Sequence, residues 1–245
     1  MKRMIHDSVA LDSLRNNLRA VRRTWRAWRG QDLLQRPQVR CQILTLGNSG
    51  SAWSICRNSL SAQSIVYSVG VGEEISFDLE LIHRLGVTVH AFDPTPRSIA
   101  WVQAKTLPPE FVFHAYGIAG QDGMRRFAPP ANLNFVSHTL LERETPWPTV
   151  EVQVRRISSV QQILGHAHID LLKMDIEGAE YEVIDDLLAN PVPVRQLLVE
   201  FHHRWPEVGI AKTRTAICKL NAAGYKIFSI SPSGEEYGFL EAGIG

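Results

Sequence analysis

The sequence is poor in cysteine, and the three cysteines that it contains lie far apart. Cys41, Cys56 and Cys218 are odd in number and form no Cys-x-x-Cys pair. They predict neither a disulfide framework nor a thiolate metal site, and this usage is typical of a reducing compartment. We therefore expect a cytoplasmic protein.

Long apolar runs are also missing from the sequence. No stretch approaches the ~20 consecutive apolar residues that a membrane-spanning helix requires. No apolar core of about 7 to 15 residues follows the first charges, as it would in a secretory signal. The sequence therefore predicts neither a membrane span nor a secretory signal.

Neither sign of charge is in excess, because the formal net charge is only +1. Residues 1–40 hold ten Lys and Arg against three Asp and Glu, which leaves 16 basic and 22 acidic residues in the remainder. A mildly acidic body offers no broad basic face to a phosphate backbone, so nucleic acid is not expected as a partner. With 44% hydrophobic residues in 245, the chain can bury one core of ordinary size.

The N-terminal segment has the pattern of a basic amphipathic helix. Arginines fill most of its other faces. Its apolar residues recur at spacings of three and four, and they are Leu11, Leu14, Leu18, Val21, Trp25 and Trp28. Such a helix could pack on its own domain or on a second subunit of a homo-oligomer. It could also lie on an anionic membrane, target an organelle or cover a pocket. A short hairpin follows, so residues 1–60 are predicted as an extension of a domain at 61–245.

From residue 65 onward, strand-like and helix-like segments alternate, which predicts an α/β fold with a Rossmann-like, seven-stranded, doubly wound sheet. The segment GYKIFSISPSGEEYGFL predicts a C-terminal antiparallel hairpin. Residues 117–160 are rich in turn residues and predict a strand pair with a mobile loop. In that loop, Ser137 and His138 could face a substrate.

Two predicted strand ends carry the pattern of a nucleoside site. The first strand ends in SVGVGEE, where Gly70 and Gly72 allow the backbone to approach a ligand closely. The second ends about twenty residues later at Asp93, whose carboxylate can accept both hydroxyls of a ribose. Together these features predict a cofactor that contains a nucleoside.

The same turn argues against a dinucleotide. A dinucleotide fingerprint requires a third glycine where this chain has Ile75, and Glu73 and Glu74 stand where a pyrophosphate would bind. Two carboxylates repel an anion but tolerate S-adenosylmethionine, whose sulfonium and amino groups are cationic. The sequence therefore favours a methyl donor over NAD.

Four blocks in this order resemble the FkbM-type branch of S-adenosylmethionine-dependent methyltransferases, over roughly residues 60–240. This chain has Ser68 where many members have Asp, and Asp93 where many have Glu. The blocks are SVGVG (68–72), FDPTP (92–96), LLKMDIEGAEYEVI (171–184) and VEFHHR (199–204).

The resemblance implies the class I methyltransferase fold and a set of site residues. It places Asp175 at the end of the fourth strand, beside the transferred methyl, and Glu200 and His202 at the end of the fifth. Either His202 or Asp175 would act as a general base, or all three would hold a divalent metal. The residues expected to bind the cofactor are Ser68, Gly70, Gly72, Glu73, Asp93 and Pro94.

The resemblance further implies transfer to oxygen, on a hydroxyl of a sugar or secondary metabolite, with a small molecule or glycan as acceptor. The alternatives are a non-catalytic nucleoside-binding or interaction module and an NAD-linked oxidoreductase. Alternation along the strand points His203 away from His202. His166 and His168 are interpreted as a solvated turn rather than a metal-binding pair.

Overall fold

A computed structural model describes residues 18–127 and 149–242 of the chain. Residues 18–28 are helical and form α1. A two-stranded antiparallel hairpin follows. The other described residues form a main sheet, a small three-stranded sheet, five further α-helices, a short 3-10 helix at Arg57–Ser59, and connecting loops. Within the described residues, the strands and helices are β1 (Ile43–Leu46), β2 (Trp53–Cys56), β3 (Ile65–Val69), α2 (Ser76–Leu85), β4 (Thr88–Phe92), α3 (Pro96–Gln103), β5 (Phe111–His114), β6 (Gly117–Ile118), β7 (Gly123–Phe127), β8 (Val150–Arg155), α4 (Ile157–Leu164), β9 (Ile169–Met174), α5 (Glu180–Ala189), β10 (Val194–Glu200), α6 (Gly209–Ala222), β11 (Tyr225–Ile230) and β12 (Glu236–Glu241).

The main sheet has seven strands in the order β11-β12-β10-β9-β3-β4-β5. Strands β3, β4, β5, β9 and β10 pair in parallel, whereas β12 is antiparallel to both β10 and β11. The predicted seven-stranded, doubly wound sheet and its C-terminal hairpin are therefore confirmed.

The strand order reverses at β3. The chain moves from β3 to β4 and β5 on one side, then returns to place β9 and β10 on the other. In open α/β sheets, ligands bind beyond the carboxyl ends of the strands at such a switch point. The residues after β3, β4, β9 and β10 therefore converge at one edge.

Helices and the hairpin cover both faces of the sheet. On one face, Phe77 and Leu81 of α2 pack with Trp53 and Ile55 of the β1–β2 hairpin and with the sheet residue Val66. The opposite face packs against α4, α5 and α6 through an apolar set: Ile157, Val160, Val183, Ile184, Leu187, Ala216, Ile217 and Leu220. The hairpin thus shares the core of the sheet, and the division at residue 60 stays a prediction.

The region predicted as a strand pair contains more regular structure than expected. Strands β7 and β8 form the predicted strand pair and are antiparallel, and β6 adds a third strand parallel to β8. Helix α4 was not predicted. Its sequence ISSVQQIL places Ile157 and Val160 three residues apart, which buries one face within a short segment. Ser137 and His138 lie outside the described residues.

Helix α1 is confirmed for residues 18–28, whereas Leu11 and Leu14 of the predicted helix lie outside the described residues. Leu18, Val21, Trp25 and Trp28 are exposed, whereas Arg23 faces inward. None of the helices in the described residues combines the length and the apolar character needed to cross a bilayer.

Candidate functional site

A cavity of about 390 Å³ lies at the switch point of the sheet. Its size falls within the range of small-molecule sites. The turn after β3 forms one wall, with Asp93 and Pro94 beside it, and Asp175 and Glu200 form another. One cavity therefore contacts the ends of four parallel strands.

The turn after β3 is fixed against the end of β9. Gly70 has a φ of 83°, and a Cβ atom there would lie 1.7 Å from the carbonyl oxygen of Asp175. The amide of Asp175 donates to the carbonyl of Val69 at 3.0 Å, and Lys173 Nζ donates to the carbonyl of Gly70 at 3.0 Å. Only glycine fits at position 70, so the glycine turn and the acidic strand end form one rigid unit.

Asp93 holds the same turn from the other side. Its Oδ2 accepts the amide of Gly72 at 2.9 Å. Its Oδ1 accepts the amide of Thr95 at 2.9 Å and the hydroxyl of Thr95 at 2.7 Å. A carboxylate offers about four acceptor positions. Asp93 is therefore held in a fixed orientation and still has acceptor capacity toward the cavity.

The acidic turn is less negative than the sequence suggests. Glu73 forms a two-pronged ion pair with Arg97 at 2.9 Å, and this pair lowers the pKa of Glu73. Glu74 accepts the amide of Ser76 at 2.7 Å at the start of α2. Both glutamates line the cavity, but the guanidinium of Arg97 offsets the charge of Glu73.

Ser68 lies inside the sheet rather than in the cavity wall. Its side chain is buried on β3 and neighbours Asp78 of α2. Asp78 does line the cavity, as does Lys173. Burial raises the pKa of Asp78, while Lys173 and Ser68 act in the opposite direction. At this end of the cavity, Asp78 and Lys173 are the polar groups a ligand would meet.

Asp175, Glu200 and His202 converge beyond the strand ends. One potential ligand atom from each lies within 4.8 Å of the others, and no other group of three in residues 18–127 and 149–242 does so. Asp175 and Glu200 line the cavity, whereas His202 lies behind them. Its Nε2 is 3.9 Å from Asp175 Oδ1 and 3.2 Å from Glu177 Oε2.

The loop after β9 and the first residue of α5 surround the imidazole of His202. Its Nδ1 lies 3.0 Å from Oε1 of Glu180, whose buried carboxylate also accepts the amides of Ile176 and Gly178. Glu177 has a φ of 54°, the only positive φ of a non-glycine residue in the described part of the chain. Such backbone conformations concentrate at ligand sites.

The local charges move pKa values strongly. Burial alone would lower the pKa of His202, but Glu180, Glu177 and Asp175 outweigh it and raise the value to about 12. Burial, with Asp175 and other acids, raises the pKa of Glu200 to about 9. Burial also raises the pKa of Asp175. The carboxylates around His202 therefore favour its imidazolium form, whereas burial favours the protonated forms of Asp175 and Glu200.

A family model described as the methyltransferase FkbM domain matches residues 54–227 of this chain. The chain belongs to the FkbM methyltransferase family. The resemblance seen in the four sequence blocks is thereby confirmed. The match begins inside β2, within the segment that was predicted as an extension.

Two curated relatives carry the same name. "Probable methyltransferase-like protein 24" of Homo sapiens is 24% identical over 216 residues, which covers 79% of this chain and 51% of that protein. The protein of that name from Rattus norvegicus is 26% identical over 160 residues, covering 64% of this chain and 38% of that protein. This FkbM-family chain thus spans about half, or less, of the length of these relatives.

A solved structure is also similar. The crystal structure of methyltransferase FkbM from Methylobacillus flagellatus KT matches with a TM-score of 0.45 and 15% identity. The match covers 74% of this chain and 44% of that one.

The contacts of this FkbM-family domain bear on two predictions: the direction of His203, and the solvated turn at His166 and His168. His203 points away from His202, and its Nε2 lies 3.1 Å from Asp32 in the N-terminal segment. His168 pairs with Asp170 at 3.2 Å. His166 is not simply solvated, because its Nδ1 lies 2.8 Å from the hydroxyl of Tyr67.

Several residues of the cavity wall were not singled out from the sequence, and three of them come from different elements. Trp53 comes from the β1–β2 hairpin, Asp78 from the first turn of α2, and Glu236 from the start of β12. An acid in the first turn of a helix is expected for dipole reasons alone, so Asp78 carried no distinct signal. Trp53 and Glu236 reach the cavity only through tertiary packing.

Proposed function

We propose that this domain transfers a methyl group from S-adenosylmethionine to a hydroxyl of a small-molecule or glycan acceptor. The observation that carries the proposal is the single cavity bounded by the glycine turn and Asp93 on one side and by Asp175 and Glu200 on the other. A nucleoside site and a proton-accepting site therefore share one space.

The polar groups in the cavity wall fit this cofactor. Asp93 has acceptor capacity for a ribose hydroxyl, and Lys173 can pair with the carboxylate of a methionine moiety. Asp78 offers carboxylate oxygens to the cationic amino group of the cofactor. When bound, S-adenosylmethionine would supply an electrophilic methyl on sulfur. A diphosphate suits the site less well, because the nearby guanidinium of Arg97 is paired with Glu73.

Asp175 is the residue we assign to proton acceptance. It faces the cavity, and its raised pKa brings it closer to the range in which a base works at neutral pH. The surrounding carboxylates favour the imidazolium form of His202, which cannot accept a further proton. His202 lies behind Asp175 and Glu177, and we assign it the role of positioning these two carboxylates. Glu180 lies on the other side of the ring, 3.0 Å from its Nδ1.

A metal-assisted form of the same reaction has one specific observation in its favour. The ligand atoms of Asp175, Glu200 and His202 lie within the 4.8 Å that one divalent ion can bridge. An ion there would lower the pKa of an acceptor hydroxyl. Activity that survives exhaustive chelation would favour Asp175 alone, whereas activity restored by Mg²⁺ or Mn²⁺ would favour the metal form.

Calorimetry tests the cofactor directly. We expect heat of binding with S-adenosylmethionine and with S-adenosylhomocysteine, and none with NAD. Heat with neither sulfur compound would contradict the proposal, and binding of NAD would favour the oxidoreductase alternative.

A transfer assay with a panel of hydroxyl, amine and thiol acceptors then separates an enzyme from a binding module. We expect labelled methyl on a hydroxyl acceptor. If the panel includes the native class of acceptor, cofactor binding without any methyl transfer would indicate a non-catalytic module.

A further inference from the structure

The exposed side of helix α1 has no role in the proposed methyl transfer. The side chains of Leu18, Val21, Trp25 and Trp28 are 53%, 67%, 55% and 85% exposed. Spacings of three, four and three residues place them on one side of the helix. They form a continuous apolar surface, here called the α1 stripe.

The opposite side of α1 fixes this orientation. Arg23 is 12% exposed and donates to the carbonyl of Leu33 at 2.8 Å and to the hydroxyl of Tyr237 at 3.4 Å. Gly234 leaves the space for it, since a Cβ there would lie 2.3 Å from Arg23 Nε. A half-buried arginine, rather than an apolar face, attaches the helix to the domain. The α1 stripe is therefore directed outward by a specific contact.

Positive charge borders the α1 stripe. Residues 18–31 contain five arginines and no acidic residue. Arg22 and Arg29 are exposed, and helical spacing places both directly beside the stripe. The rest of the chain is mildly acidic, so the arginines of this helix favour contact with an anionic surface.

We propose that the α1 stripe binds the headgroup region of an anionic lipid bilayer. Tryptophans belong at the membrane interface because their rings are amphipathic, and arginines beside them pair with anionic headgroups. A helix with this composition lies in the plane of the interface rather than spanning it. A second copy of this chain would bring two arginine-rich surfaces together, which charge repulsion opposes.

Vesicle co-sedimentation of the full chain tests the proposal. We expect binding to phosphatidylcholine vesicles that contain about one third phosphatidylglycerol, and little binding to phosphatidylcholine alone. Raising the ionic strength should weaken the binding, because exposed charges are screened. Failure to bind the anionic vesicles, or equal binding to both vesicle types, would overturn the proposal.

Two variants and a control locate the binding surface. The double variant Trp25→Ser, Trp28→Ser should reduce vesicle binding at least tenfold, and Arg22→Gln with Arg29→Gln should reduce the dependence on anionic lipid. Ile163→Ser removes another exposed apolar side chain, on α4, and should bind as the wild type does. Equal losses in the control would contradict the assignment to α1.

Light scattering separates the membrane from a second copy as occupant. We expect a monomer in the absence of vesicles. A dimer that the double tryptophan variant dissociates, together with no vesicle binding, would assign the α1 stripe to self-association. The proposal does not rest on methyl transfer, so cofactor binding in the variants should equal that of the wild type.

Discussion

Two groups of histidines in this domain have opposite electrostatic environments. His202 stands among the carboxylates at the carboxyl ends of β9 and β10, which raise its pKa to about 12. His90, His114 and His166 pack against one another and against Tyr67 on one face of the sheet. Burial and the neighbouring imidazoles lower the pKa of His90 to about 4.

The difference shows that the neighbours of a histidine decide its charge, because both the buried His202 and the half-buried His90 are shielded from solvent to some degree. Carboxylates stabilise the imidazolium, whereas stacked imidazoles and apolar surroundings favour the neutral ring. In the sequence, all four residues are simply histidines near strands. The carboxyl edge, meaning the carboxyl ends of β9 and β10, favours the charged form of His202. The histidine cluster on the sheet face favours neutral rings.

The largest effect is expected from Asp175→Asn, which removes one of the negative charges that surround His202. The change keeps the shape of the side chain at the carboxyl edge but removes its negative charge. Turnover should fall by about a hundredfold or more, the typical effect of losing a general base. Cofactor affinity should change little, and both are measured by a methyl-transfer assay together with calorimetry.

Asp170→Asn is the matched control for that change. Asp170 lies at the opposite end of the same strand, where it pairs with Arg195 and accepts the amide of Ile65. It should lower the thermal midpoint and leave turnover per folded molecule intact. Equal turnover in both variants would remove Asp175 from the mechanism.

Asp93→Ala should produce the next largest effect, on cofactor affinity rather than on turnover. We expect affinity to weaken by more than tenfold, or about 1.4 kcal/mol, through loss of the ribose acceptor and of the amide contact that shapes the turn. Calorimetry with S-adenosylhomocysteine measures it.

Asp122→Ala serves as the control for Asp93→Ala. Asp122 accepts the amide of Arg156 and the hydroxyl of Ser159 and does not line the cavity. The two variants lose similar local hydrogen bonds, so an equal drop in affinity would contradict the assignment of Asp93 to the ribose.

Much of the site could be predicted because topology brings it together. Asp93, Asp175 and Glu200 each follow or end a parallel strand, and the carboxyl ends of such strands meet at one edge. The order of the blocks therefore carried spatial information. The sequence indicated the convergence of these residues without any knowledge of the loops between them.

The parts that could not be predicted depend on contacts distant in sequence. Trp53 and Glu236 enter the cavity wall from hairpins at the two ends of the domain, and Arg97 neutralises Glu73 from the next helix. The periodicity of α1 correctly indicated that Trp25 and Trp28 share a face. It contained no information on whether that face would be covered.

A third prediction concerns the stability that His202 supplies. Its folded pKa lies above the unfolded value of about 6.5, so its contribution is fully present below pH 6.5 and is lost as the pH rises toward 12. The free energy of unfolding of wild type minus His202→Gln should therefore shrink by at least about 1 kcal/mol from pH 6 to pH 9. Urea denaturation at both values measures it, and a constant difference would contradict the imidazolium assignment.

The smallest expected effect belongs to the histidine cluster on the sheet face. The folded pKa of His90 lies below the unfolded value, so the unfolded chain gains a proton first as the pH falls from about 6.5 to 4. Stability should decline in that window, and His90→Phe should make the decline shallower because the ring is kept and its titration is removed. Thermal midpoints between pH 7 and pH 4.5 measure the slope.

His83→Phe is the control for that slope, because His83 is exposed on α2 and lies outside the cluster. If His83→Phe reduced the slope as much as His90→Phe, the acid sensitivity would reflect histidine content rather than the packed cluster. A slope reduced only in His90→Phe would show that acid acts on this face through the neutral stack. The carboxyl edge, where the imidazolium of His202 already carries its proton, would then contribute little to the change between pH 6.5 and 4.5.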